Sequence, residues 1–421
     1  MREIYSRYLH NYLHKLIDTL PANQRLQLNT LQNCGKKIIP STIADSGVFL
    51  LSNGEQAKMF GMMTCKNSWA CPICTARKME KLSSEITAAI PVMQKKGYFG
   101  LMITFTIPHV ARMSCRETLE ILYSTMKRFR QDAKAKLKSK NCKGSIIRQF
   151  FDELQIKHFI QVCEFTHGKN GWHPHFHCIF WCKRGKQQNA LKYQKPINDW
   201  WLAQARRITK QYWLEHNLHV TDAKWADNVL NKLYGRCQKD ASFVIGTKDG
   251  KVEEAHDGNY LAGWGANDEL TGLEHKTANA GHHSPHQLLQ MAYEGDKKAE
   301  KLYIEFCLAV TQKPVKVRIH ISQTGLRQIL NQARQVAAAE EFLLKKKELP
   351  TWQVILWFSK DGWSYILDLE RNSPVIANIL YLGARHYELL LQYLEFLHIP
   401  YKLPSQNIIS DHIQNVFNQC A

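Results

Sequence analysis

Residues 157–182 read KHFIQVCEFTHGKNGWHPHFHCIFWC. Two β-prone runs flank the turn-rich segment HGKNGW (167–172), a layout that predicts a β-hairpin. Alternate residues of a strand point to one face, so His173, His175 and His177 share a side and Phe176 turns into the core. Pro174 makes the first of these positions irregular. With the turn near Lys169 and Asn170, Glu164 falls opposite His175 on the same face, near enough to share an ion. Two imidazoles and a carboxylate suit Mn²⁺ or Mg²⁺ with positions open to water and phosphate. A polar cluster on an exposed strand is the plainer alternative. A zinc hydrolase of the metallo-β-lactamase kind is set aside, because Cys178 and Ile179 follow the histidines where that pattern needs an Asp.

Outward from the hairpin, YFGLMITFTIPH (98–109) is a continuous β-prone run fit for a buried strand. Ser114 and Glu117 form a capping-box pattern before a helix with Leu119, Leu122, Met126 and Phe129 on one stripe. After the hairpin, INDWWLAQARRITKQYWLEH (197–216) reads as a helix, followed by short strands near 218–221 and 242–247. The order predicts an α+β fold, an antiparallel sheet with helices on one face. SPHQLLQMAYEGDKKAEKLYIEFCLAVTQ (284–312) reads as helical. Beyond about 340, WQVILWF (352–358) and WSYILDL (363–369) are β-prone, and YELLLQYLEFL (387–397) is helical. Four sections result: 1–95, 96–280, 281–335 and 336–421.

The formal net charge is +19, from 56 Lys and Arg against 37 Asp and Glu. That excess suits a polyanionic partner such as DNA or RNA. Arg77, Lys78 and Lys81, and further on Lys127, Arg128 and Arg130, are candidate phosphate contacts, with a solvated helix face as the alternative for each group. The Trp200–Trp201 pair either stacks on unpaired bases or packs in the core. No apolar run is long enough to cross a bilayer, so no membrane partner is expected. The N-terminal segment MREIYSRYLHNYLHKLIDTL reads as an amphipathic helix without the h-region or cleavage site of a signal peptide. The expectation is a cytoplasmic protein whose 12 cysteines are free thiols or metal ligands. CKNSWACPIC places Cys65, Cys71 and Cys74 at metal-ligand spacing, and Cys34, in a Cys-Gly dipeptide, is the natural fourth ligand of a closed structural Zn²⁺ site.

HPHFHCIF (173–180) resembles the HUH motif of rolling-circle replication initiators, the plasmid Rep proteins. MITFTIPH (102–109) is similar to that family's first strand, CEFTHGKNGWHPHFH (163–177) to its hairpin, and NYLAGWGANDELT (259–271) to its tyrosine segment. The resemblance runs over roughly residues 30–330. It implies a ferredoxin-like central antiparallel sheet of HUH/Rep type, with an N-terminal zinc-knuckle module and mostly helical C-terminal additions. It implies site-specific nicking of single-stranded or cruciform DNA at an origin, through a 5′-phosphotyrosine. His175 and His177 become the HUH ligands of a catalytic Mn²⁺ or Mg²⁺, with Glu164 as third ligand and His173 as a weaker one. Tyr260 becomes the nucleophile, with Tyr234 and Tyr212 behind it. Gly263 stands where related sequences carry Lys, and His256 where some carry a terminating Glu; Lys276 is a substitute for the former. No Walker-type loop is present, so a host helicase and polymerase would extend the 3′ end.

Two other functions compete. One is an HUH relaxase or transposase. The order of histidines before tyrosine speaks against the relaxase, and the length and cysteine knuckle against the transposase. The other is a non-catalytic zinc-containing DNA-binding protein, which would shift DNA on a gel without Mn²⁺ or a covalent adduct.

Overall fold

The computed structural model describes residues 2–38, 47–55, 57–135, 144–215, 241–248, 251–254, 281–312, 317–322, 326–329, 353–371 and 373–403. The chain divides into two compact units, one of residues 1–76 with 339–421 and the other of 77–338. The strand expected near 218–221 lies outside the described residues.

The first unit opens with α1 (Arg2–Asp18), α2 (Ala22–Gln27) and α3 (Asn29–Gln32), then β1 (Val48–Ser52) and β2 (Ala57–Phe60). α1 buries Leu9, Leu13, Leu16 and Ile17. Their spacing makes the single apolar stripe of an amphipathic helix.

α4 (Pro72–Lys95) begins in the first unit and continues into the second. The second unit continues with β3 (Tyr98–Thr106), α5 (Cys115–Lys134), α6 (Ile146–Glu153), β4 (His158–Gly168), β5 (Gly171–Lys183) and α7 (Leu191–Glu215). It is completed by β6 (Ala241–Lys248), β7 (Lys251–Glu254), α8 (Pro285–Tyr293), α9 (Lys297–Thr311) and β8 (Ile319–Ile321). Its sheet is antiparallel throughout, in the order β7-β6-β3-β5-β4-β8. Both strands of the β4–β5 hairpin are therefore interior, and its two-residue turn falls at Lys169–Asn170, between the paired Gly168 and Gly171. The segment after 281 is not a separate helical extension, because β8 joins this sheet beside β4.

Helices cover both faces of this sheet rather than one. Met79, Leu82, Ile86 and Met93 of α4 pack with Met102, Ile160, Val162, Ile179 and Trp181. On the opposite face, Phe176 meets Tyr123 of α5 at 4.9 Å, and Phe105 meets Phe129 at 5.2 Å and Trp201 at 4.7 Å between ring centroids. The second half of β5 is apolar at consecutive positions, and a strand buried on both faces needs that. Trp201 is fully buried and donates to the Thr106 carbonyl, while Trp200 donates to Asp132. Both tryptophans thus serve packing.

Helix ends carry the expected caps. Ser114 Oγ accepts from the Glu117 amide. The complete reciprocal box is elsewhere, at Ser284 and Gln287, where it starts α8.

The chain then returns to the first unit. β9 (Gln353–Phe358) pairs antiparallel with β1 in a sheet of order β2-β1-β9, followed by α10 (Lys360–Glu370), α11 (Val375–Arg385) and α12 (Tyr387–Phe396). The sequence division into separate N- and C-terminal sections gives way to this one sheet, whose core gathers Val48, Leu50, Leu356, Phe358, Trp363, Ile379 and Leu390. WSYILDL is helical rather than extended. Ser359 caps α10 by accepting from the Gly362 amide, and Trp363, Ile366 and Glu370 face inward at helical spacing.

Candidate metal centres

Glu164 and His175 are direct partners in the β4–β5 ladder, and His177 follows two residues on. Glu164 Oε2 lies 3.3 Å from His175 Nε2 and 3.4 Å from His177 Nε2. One ligand atom from each of the three comes within 4.8 Å of the others. Glu164 is 3% exposed and His177 4%.

The outer nitrogens show which way the lone pairs point. His175 Nδ1 lies 3.3 Å from the His173 carbonyl. A carbonyl only accepts, so Nδ1 carries the hydrogen and Nε2 presents its lone pair to Glu164. His177 Nδ1 lies 3.0 Å from Thr104 Oγ1, from the neighbouring strand β3. With the hydroxyl accepting, His177 Nε2 presents a lone pair too. A carboxylate oxygen and two imidazole lone pairs repel unless a cation or proton lies between them. This donor set fits a divalent ion such as Mn²⁺ or Mg²⁺, and orienting partners like Thr104 are the usual second layer of such a site. Sequence reading missed Thr104; its signal is the pairing of a threonine on β3 with His177.

The other expected residues are placed differently. His173 is outside the ligand group. Its ring lies 5.2 Å from that of His175 and 4.8 Å from that of His109, and burial holds its pKa well below the ordinary value. Gly171, at φ +85°, makes this arrangement possible: a Cβ there would come within 2.9 Å of Ala111 Cα, so only glycine admits the loop that carries His109. Tyr212 is on α7 near Glu117 and Glu120 of α5, on the sheet face away from Glu164, and burial raises its pKa. Tyr260, Tyr234 and Lys276 lie outside the described residues.

Arg77, Lys78 and Lys81 are exposed along α4. Lys127 and Arg128 are exposed on α5, and Arg128 pairs with Asp132 at 3.6 Å. Arg130 turns inward toward Cys178 and Tyr123, and burial lowers its pKa.

In the first unit, Cys34, Cys65, Cys71 and Cys74 form one group of possible metal ligands. Cys34 follows α3, and Cys71 and Cys74 stand at the start of α4. Cys34 Sγ is 3.7 Å from the sulfurs of Cys71 and Cys74, and Cys65 Sγ is 3.5 Å from that of Cys74. The Cys65 and Asn67 amides each donate to a cysteine sulfur at 3.4 Å. Hydrogen bonds from Cys65, Cys71 and Cys74 hold the Cys34 thiol far below its ordinary range. Four sulfurs with such bonds fit a closed tetrahedral Zn²⁺ site. The described cysteines beyond this group, Cys115, Cys163, Cys178, Cys182 and Cys307, are buried.

No helix among the described residues is long and apolar enough to cross a membrane. Neither a family model nor a solved structure matches the chain. Two curated proteins are similar to parts of it. Over 153 residues the chain is 28% identical to a neomycin resistance protein of Streptomyces cyanogenus, covering 32% of this chain and 34% of that protein. Over 278 residues, 58% of its own length, it is 25% identical to the protein named rep of Streptomyces lividans, and it spans about half, 56%, of that relative.

Proposed function

We propose that this protein is a plasmid-type replication initiator of the HUH class, which nicks one DNA strand at an origin. The observation that carries the reading is the convergence of Glu164, His175 and His177 on one hairpin face. The likeness to a protein named rep supports the replication role, and the net charge of +19 suits a DNA partner.

In this reading the site would take a divalent ion, which would supply Lewis-acid polarisation of the scissile phosphate. Glu164, His175 and His177 hold that ion, and Thr104 keeps His177 in the ligating tautomer. The Tyr260 oxygen forms a bond to phosphorus while the bond from phosphorus to the 3′ oxygen breaks. The products are a 5′-phosphotyrosine and a free 3′-OH; the phenol gives up its proton and the departing 3′ oxygen takes one up, so no net proton is released. The phosphodiester energy is kept for rejoining. The free phenol ionises near pH ~10, so the reaction would need a phosphate made more electrophilic by the charge that Glu164, His175 and His177 would hold. Cys34, Cys65, Cys71 and Cys74 hold a structural Zn²⁺, and a host helicase and polymerase extend the 3′ end. On this reading the antiparallel sheet would be the ferredoxin-like element of that class.

The test uses single-stranded oligonucleotides from the origin of the protein's own replicon, with and without Mn²⁺. A covalent protein–DNA band on a denaturing gel, needing both Mn²⁺ and Tyr260, is expected. A band that survives Tyr260→Phe moves the nucleophile elsewhere. Binding without any band would instead make this a non-catalytic DNA-binding protein.

A further inference from the structure

A second polar constellation lies on the other face of the same sheet, under the C-terminal half of α5. Its floor is Gln161 of β4. This residue is 1% exposed, and neither its amide oxygen nor its amide nitrogen has a hydrogen-bond partner. Buried amides are almost always satisfied, so an orphan of this kind calls for a partner beyond the side chains present, a water or a bound group. Gln161 pairs with Cys178 in the ladder and so shares the face of Phe176 and Phe180.

The walls are basic. His320 of β8 is the register partner of Gln161, and its ring lies 5.3 Å from that of Phe159. Arg318, 7% exposed, stands two residues before it, near Tyr123 and Cys163. Arg130 reaches in from α5 toward Tyr123 and Cys178. Lys134, one turn further along α5, and Arg327 are exposed at the rim. Among the described residues, Arg130, Lys134 and Arg327 all act on His320 to lower its pKa, after burial.

Several basic residues elsewhere in this unit have acidic neighbours. Arg116 pairs with Glu120, Arg148 with Asp152, Lys192 with Glu153 and Lys195 with Asp199. Among the described residues no carboxylate is in ion-pair range of Arg130, Lys134 or Arg327. Cations gathered without a counter-charge repel one another, and burial sharpens the penalty. A multivalent oxyanion relieves it: guanidinium forks match phosphate oxygens two at a time, and the Gln161 amide adds a neutral donor.

We propose that Gln161, Arg130, Arg318 and His320, with Lys134 and Arg327 at the rim, form a phosphate-binding site on the sheet face opposite Glu164, His175 and His177. The site takes a phosphate group, either of a nucleic-acid backbone or of a free phosphate. Its backbone form rests on the nucleic-acid reading above, and its free-phosphate form does not.

The test compares the full chain with Lys134→Gln/Arg327→Gln, whose exposed positions leave the packing intact, and with Arg130→Gln. Two probes are titrated without added divalent metal: inorganic pyrophosphate, read as a rise in melting temperature, and a single-stranded oligonucleotide, read by fluorescence anisotropy across salt concentrations. The double variant is expected to lose the pyrophosphate response. Its slope of log affinity against log salt should shrink by up to about 1.4, at roughly 0.7 per lost single-strand phosphate contact. A lost pyrophosphate response with unchanged oligonucleotide binding still supports the site, with free phosphate as its source. Unchanged pyrophosphate response, oligonucleotide affinity and slope in all variants would overturn it. Covalent-adduct formation is scored separately, so failure of the nicking reading does not decide this one.

Discussion

Glu164 and His175 face each other across the β4–β5 ladder, with Glu164 Oε2 3.3 Å from His175 Nε2 and 3.4 Å from His177 Nε2. An oxygen equidistant from two imidazole nitrogens is placed to share a cation with them. Glu164→Gln keeps the shape and removes the charge, so Mn²⁺ affinity measured by calorimetry should fall by more than tenfold. Thr104→Val removes the group 3.0 Å from His177 Nδ1 and leaves the ligands in place. A loss of about 10- to 100-fold is expected for an orienting partner. Equal Mn²⁺ affinity in wild type and both variants would show that the three side chains do not hold the ion.

The cysteine group makes a separate prediction, because its four sulfurs lie in the first unit. Purified protein should carry one zinc per chain, and Cys71→Ser should carry none. Structural zinc binding is folding energy, about 10 kcal/mol or more in small zinc modules. The variant should therefore melt earlier. Alkylation gives a second readout. Burial raises the thiol pKa of Cys115, Cys163, Cys178 and Cys307, so these should stay unreactive in the folded protein. Chelation should expose Cys34, Cys65, Cys71 and Cys74 first. Zinc-free protein with full thermal stability would contradict the assignment.

Much of the hairpin was legible because strand periodicity is local. Once HGKNGW marks the turn, period two alone sets Glu164 opposite His175. Cys65, Cys71 and Cys74 were legible from spacing for the same reason, whereas Cys34 is 31 residues before Cys65 and was marked only by its Cys-Gly dipeptide. What sequence reading missed depends on distant partners. Thr104 matters only because β3 lies beside β5, and β9 joins β1 across some three hundred residues. WSYILDL carries the Trp, Tyr and Ile of a strand, yet the Ser359 cap and an inward face of Trp363, Ile366 and Glu370 make it a helix. Local propensity yields there to tertiary burial. The consecutive apolar residues of β5 are the sign of a second helical layer, since burial on both faces removes the alternation of a one-sided sheet; the reading of helices on one face passed over it.

The β1–β9 junction depends on Gly47. Its φ is +132°, and a Cβ there would lie 1.9 Å from the Phe358 carbonyl oxygen. Gly47→Ala must therefore strain its own backbone and push β9 away. Strain of this kind costs about 1–3 kcal/mol per residue, and displaced pairing adds to it, so a destabilisation of about 3 kcal/mol or more is expected in urea unfolding. Residues 1–95 expressed alone lack β9 and most of the core around Leu356, Phe358 and Trp363. That fragment should be unfolded by circular dichroism. A folded fragment would show that the N-terminal section is independent after all.

His320 gives the pH prediction. Burial first, then Arg130, Lys134 and Arg327, lower its pKa from the ordinary 6.5 to about 4. As pH falls, the unfolded chain takes the proton before the folded chain does. Stability is therefore held above pH 6.5 and declines between 6.5 and about 4, the direction linkage requires when the unfolded state binds more protons. Burial lowers the pKa of other histidines too, among them His14, His109 and His173, so the informative quantity is a difference. The fall in melting temperature from pH 7.5 to pH 5 should be larger in wild type than in His320→Gln. Pyrophosphate should shrink the wild-type fall, because an anion beside His320 favours its protonated form and offsets the three cations. Identical pH profiles for wild type and variant would mean that His320 titrates normally and that the cations around it are too well solvated to act on it.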